Sequence, residues 1–144
     1  VIAGVATAGI PQGALVAEEL GLPFVYIRSS AKAHGMTNKI EGKLDKGQTV
    51  VVIEDLISTG KSSLNAVDAL RDSGAVVAGM VAIFTYGLEI AKQNFLDKNC
   101  KLISLCDYDT MIGKAVADNY VTSTEEDSLL EWSKNPKKWS ENNQ

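Results

Sequence analysis

The chain has one histidine, two cysteines and three prolines among its 144 residues, and only 6% of it is aromatic. Each scarcity closes off a class of function. Cys100 and Cys106 have no CxxC spacing and almost no histidine to help them. Two reduced thiols in a cytoplasmic protein are therefore expected rather than a disulfide. No apolar run approaches the roughly 20 residues that span a bilayer. The first residues carry no basic flank followed by an apolar stretch, so no secretory signal is expected in them. Basic residues are also short in number, and a net charge of −4 argues against a nucleic-acid binder. Internal repeats, low-complexity stretches and dividing linkers are all missing.

What is present suits one globular domain over residues 1–144, with 45% hydrophobic and 22% charged residues to build a core and a surface. The charge is uneven. Residues 28–46 hold Arg28, Lys32, Lys39, Lys43 and Lys46 against Glu41 and Asp45, a net of +3 that leaves −7 for the remainder. A basic stretch on an acidic protein suggests a small anionic ligand, although scattered lysines on a solvated hairpin look the same in isolation.

Apolar strands alternate with helical patterns. Strands are predicted over Val1–Val5, Pro23–Arg28, Thr49–Ile53, Val76–Thr85 and Leu102–Leu105. Helices are predicted over Gly9–Leu20, Lys61–Ser73, Glu89–Lys98, Asp109–Asn119 and Glu125–Ser133, with Pro11 in the first turn of one and Gly21 and Gly74 at helix ends. Residues 29–48 read as a loop or loose hairpin, and 135–144 as a polar tail, frayed or loosely docked. This alternation implies an α/β fold, a parallel sheet flanked by helices on both faces. Ligands in such sheets sit beyond the carboxyl ends of the strands, which directs attention to the loops after Val5, Arg28, Ile53 and Thr85. The first residue is Val inside an apolar strand. An N-terminal truncation is expected on that ground.

The segment Val50-Val51-Val52-Ile53-Glu54-Asp55-Leu56-Ile57-Ser58-Thr59-Gly60-Lys61-Ser62 carries the chemistry. Glu54 and Asp55 are acceptors suited to ribose hydroxyls. Ser58, Thr59, Gly60, Lys61 and Ser62 offer hydroxyls and unpaired N–H groups at a helix start, a site for a phosphate dianion. Gly60-Lys61-Ser62 matches the end of a nucleoside-triphosphate P-loop, but Asp55 stands where that motif needs its first glycine, and an acid there would repel phosphate. Gly4 and Gly9 have the glycine spacing too, with Ile10 in place of the lysine. The G-x-G-x-x-G dinucleotide pattern is absent.

This strand, acid pair and T-G-x-S loop resemble the phosphoribosyl diphosphate motif of type I phosphoribosyltransferases. The resemblance implies that Glu54 and Asp55 bind the ribose hydroxyls and that residues 56–62, from Leu56 and Ile57 through Ser58 to Ser62, grip the 5-phosphate. A second stretch, Tyr26-Ile27-Arg28-Ser29-Ser30-Ala31-Lys32-Ala33-His34-Gly35 on to Gly42, is similar to the mobile catalytic loop of orotate phosphoribosyltransferases, with its R-x-x-x-K-x-H-G pattern. By that resemblance Arg28, Lys32 and His34 approach the diphosphate, and Lys32, His34 and Asp55 are the catalytic residues. Taken alone, His34 is a lone loop histidine. A third stretch, Gly4 to Pro11, looks like the family's diphosphate loop, with Thr7, Ala8 and Gly9 letting backbone N–H groups approach the leaving group. The likeness runs from Val1 to about Tyr120.

Two departures stand out. Ala8 and Ser29 occupy positions where some members have lysines, and Thr85-Tyr86-Gly87 offers no arginine to read orotate. Ser58 is the one orotate contact carried over. The resemblance implies transfer of a phosphoribosyl group to orotate in pyrimidine synthesis, with Mg²⁺ held mainly through the substrate rather than by direct protein ligands, and a homodimer. Rival readings are a regulator that binds the diphosphate without turnover and a purine-base transferase of the same fold.

Overall fold

The computed structural model of the protein describes residues 1–28 and 39–142. It has a six-stranded sheet in the order β3-β2-β1-β4-β5-β6. The strands are β1 (Ile2–Val5), β2 (Phe24–Ile27), β3 (Ile40–Glu41), β4 (Thr49–Ile57), β5 (Val76–Thr85) and β6 (Leu102–Asp107). All neighbours are parallel except the edge pair β2 and β3, which is antiparallel. The helices are α1 (Gly9–Leu20), α2 (Lys61–Asp72), α3 (Glu89–Asp97), α4 (Tyr108–Ala117), α5 (Ser123–Lys134) and α6 (Pro136–Asn142).

The alternation of side chains across the strands sorts the core into two layers. On one face Val50 and Val52 of β4 pack with Leu64, Val67 and Leu70 of α2 and with Ala91 and Phe95 of α3. On the other, Ile2 and Ile53 pack against Ala17 of α1. The second layer is incomplete. Helices flank both faces, but Ile83, Ile103 and Leu105 on β5 and β6 keep 41%, 48% and 74% of their surface exposed, so the cover of one face stops short of these strands. The cause is connectivity: α1 covers β1, β2 and β4, whereas the connections from β4 to β5 and from β5 to β6 both run on the α2 and α3 side.

Two further elements differ from expectation. β4 continues four residues past Ile53, because β5 offers a parallel partner as far as Ile57 opposite Thr85. The tail, expected to be frayed or loosely docked, is helical over Pro136–Asn142 and docks on α5, where the Trp139 Nε1–H donates to Ser128 Oγ at 3.3 Å.

The topology also places the site. β1 and β4 are adjacent, but the chain leaves β1 through α1 toward β2 and leaves β4 through α2 toward β5, on opposite faces. The loops at their carboxyl ends therefore diverge and open a crevice, the position where α/β sheets bind ligands.

Candidate active site

The acid pair lies inside β4 rather than beyond its end. Strand pleating sends the two side chains to opposite faces, so they have different surroundings. Glu54 is buried, 5% exposed. Its Oε2 accepts from Ser63 Oγ at 2.8 Å, and its Oε1 accepts from the Asp55 N–H at 3.1 Å. Burial, with the Asp55 carboxylate beside it, pushes the Glu54 carboxyl up to about 7, against the lowering effect of the Ser63 hydroxyl and the Asp55 N–H. Asp55 is only half-buried. The pair thus consists of one interior carboxyl and one facing outward.

Beyond Ile57 the chain turns through Ser58, Thr59 and Gly60 into α2. Gly60 has φ +74°, a left-handed conformation that favours glycine, and a Cβ there would meet Phe95 Cε2 at 2.5 Å. Among the described residues no side chain caps the start of α2. The Lys61 N–H reaches Thr59 Oγ1 only at 3.5 Å. First-turn N–H groups have no intrahelical acceptors, so this end of α2 presents donors and a partial positive charge to an anion. The loop itself is pinned on two sides. Asn94 Nδ2 of α3 donates to the Thr59 carbonyl at 2.9 Å. From β5, the Tyr86 N–H donates to the Ile57 carbonyl at 3.0 Å, and the Thr85 hydroxyl reaches the same oxygen at 3.4 Å.

The loop between β1 and α1, Ala6 to Ala8, abuts this segment. A Cβ on Gly9 would come within 2.6 Å of the Ile53 carbonyl. Only glycine lets the start of α1 lie directly on the β4 backbone beside the acids. The Ala6–Thr7 peptide is cis. Arg28, Ala6 and Ser62 line one cavity of about 60 Å³, together with Lys39 and Asn65 among others. Sequence positions 6, 28 and 62 are thereby brought to a single place. Arg28 is tied back by Glu41, Nη1 to Oε1 at 3.4 Å, and its N–H donates to the Lys39 carbonyl. Leu56 is exposed, with 39% of its surface open to solvent. Lys32 and His34 lie outside the described residues.

Residues 1–118 match the family model described as the phosphoribosyl transferase domain. The chain belongs to the phosphoribosyl transferase family. Within that family it is 55% identical over 138 residues to an orotate phosphoribosyltransferase of Cytophaga hutchinsonii, and 57% identical over 139 residues to one of Listeria monocytogenes. Each match covers 96% of this chain and 66% of the relative, so the chain spans just under two thirds of their length. Among solved structures, Leishmania donovani UMP synthase superposes with a TM-score of 0.74 at 26% identity, over 92% of this chain and 28% of that one. Orotate phosphoribosyltransferase from Aeropyrum pernix gives 0.71 at 33% identity, over 78% and 63%. The fold shared with these structures is the mostly parallel sheet flanked by helices described above.

Three residues that hold this candidate site in shape have no sequence motif to announce them. Ser63 lies one residue past the T-G-x-S loop, and its value as Glu54's partner follows only from α2 packing over β4. Thr85 sits at a strand end that the topology rule had marked for inspection. Asn94 gives no local signal.

Proposed function

We propose that this chain carries the phosphoribosyl diphosphate site of an orotate phosphoribosyltransferase and forms orotidine 5′-monophosphate and diphosphate in pyrimidine synthesis. The observation that carries the reading is the β4 segment: an acid pair followed by an uncapped, glycine-turned helix start at the switch point of the sheet. The 55–57% identity to orotate phosphoribosyltransferases supports the choice of base.

In this reading Asp55 accepts from the ribose hydroxyls, with Glu54 behind it holding the strand end. Ser58 to Ser62 bind the 5-phosphate through their N–H and hydroxyl groups. Thr7, Ala8 and Gly9 cradle the diphosphate, Arg28 reaches toward it, and Ser58 contacts orotate. Orotate N1 bonds to ribose C1 as the C1–O bond to diphosphate breaks, through a transition state with cationic character at C1. Lys32 and His34 balance the charge that builds on the departing oxygens. Catalysis is then chiefly placement and electrostatics.

Among the described residues no group of three His, Cys, Asp or Glu side chains could hold a metal. With Glu54 engaged by Ser63, Asp55 is the acid available to share a cation. In this reading Mg²⁺ would be carried largely by substrate oxygens, where it would supply charge neutralisation. We further propose a cytoplasmic homodimer. Among the described residues no helix is long and apolar enough to cross a membrane.

A base-exchange assay with orotate, adenine, hypoxanthine and uracil tests the reading. Diphosphate release with orotate alone is expected. Turnover with a purine instead, or binding of phosphoribosyl diphosphate without turnover of any base, would overturn it.

A further inference from the structure

The loop that turns β4 into α2 does not hold its own shape. Among the described residues no side chain caps the start of α2, and the Thr59 hydroxyl reaches the Lys61 N–H only at 3.5 Å. The loop's start is tied to the end of β5 through the Ile57 carbonyl, and its tip is held from α3. Asn94, 35 residues further along the chain, donates to the Thr59 carbonyl at 2.9 Å, and the adjacent Phe95 ring lies directly beneath Gly60. Phe95 is buried at 4% exposure, so this floor cannot easily shift.

A peptide unit is planar, and in the trans form its C=O and N–H point in opposite directions. The Thr59–Gly60 peptide is trans. Holding the Thr59 oxygen toward α3 therefore turns the Gly60 N–H to the opposite side of the loop, away from α3. Asn94 stands in an open groove between α2 and α3, a cavity of about 570 Å³ also lined by Thr59, Leu64 and Ile90. It lies behind the loop. Asparagine in a helix interior is a poor helix former, and here its amide is spent on a carbonyl outside its own helix. Neither the fold of α3 nor the core requires it.

We propose that Asn94 is a positioning residue of the phosphate site: by fixing the Thr59 carbonyl it aims the Gly60 N–H at the 5-phosphate of the ligand. This rests on the phosphoribosyl diphosphate reading of the loop. Asn94 acts through the backbone and touches no substrate.

The test is calorimetric titration of the intact chain with ribose 5-phosphate and, separately, with inorganic diphosphate and Mg²⁺. Asn94→Ala and Asn94→Leu both remove the donor, and Leu improves helix propensity, so a weaker α3 cannot explain a shared defect. Both variants are expected to weaken ribose 5-phosphate on the order of tenfold, the scale of one lost hydrogen bond. Diphosphate affinity and melting temperature should stay at wild-type values, because diphosphate sits at the β1–α1 loop. Unchanged ribose 5-phosphate affinity would overturn the proposal, and so would an equal loss for both ligands. Wild-type protein that binds neither ligand would instead overturn the phosphoribosyl diphosphate reading itself.

Discussion

The Ser63 hydroxyl donates to the Glu54 carboxylate at 2.8 Å, joining the first turn of α2 to the strand that precedes the phosphate loop. Both residues are buried, Ser63 to 2% exposure and Glu54 to 5%. The contact spans the loop, so it restrains the span between acid pair and helix start. Ser63→Ala leaves an interior carboxyl one partner short. A stability loss of about 1–3 kcal/mol is expected at pH 8, where the group is charged, and a smaller one at pH 5. Denaturant titrations at the two pH values measure it. Equal losses at both would show that the bond does not depend on charge.

Glu54 itself should tie stability to pH. Its carboxyl is raised from 4.5 to about 7. Between those values the native chain keeps a proton that the unfolded chain has released, so stability falls as pH rises from about 4.5 to about 7 and levels off above. The raised value corresponds to a loss of about 3 kcal/mol across that window. Glu54→Gln should remove this part of the slope, so that the mutant gains on the wild type as pH climbs. Parallel stability curves for the two proteins would refute it.

Asp55 faces outward and should matter to ligands rather than to folding. Asp55→Asn removes a charged acceptor, worth about 1.5–3 kcal/mol. Affinity for both phosphoribosyl diphosphate and the nucleotide product is expected to fall at least about tenfold, with the melting transition intact. An unchanged titration would reduce Asp55 to a solvated residue near a strand end.

Lys32 is expected to act on the rate. If its ammonium meets the diphosphate mainly as the bond breaks, Lys32→Ala lowers kcat by about 10²–10³ while substrate binding weakens little. Lys43→Ala is the control, a basic neighbour in sequence that pairs with Asp45 at 3.6 Å. Steady-state kinetics and substrate titration on both variants decide the matter. The same small effect from each would make the basic stretch a surface feature.

The sequence by itself determined what depends on neighbours along the chain. The β-branched run Val50–Ile53 demands a buried strand, the glycine at 60 a sharp turn, and the serines and threonine around it a polar loop before a helix. Among the described residues, those local preferences also located five of the six strands and five of the six helices to within a few residues. Tertiary structure alone decided what depends on partners remote in sequence. β4 runs on through Asp55 because β5 pairs with it as far as Thr85. Pleating then separates two adjacent acids that read alike in sequence, burying Glu54 against Ser63 and leaving Asp55 outward. The bare apolar face at Ile83, Ile103 and Leu105 follows from where the connections run. Asn94 gains its importance only because α3 packs beneath Gly60. Hydrophobic periodicity records which face of a strand or helix is inward. It carries no information on which distant side chain waits there, and those distant partners are what shape this site.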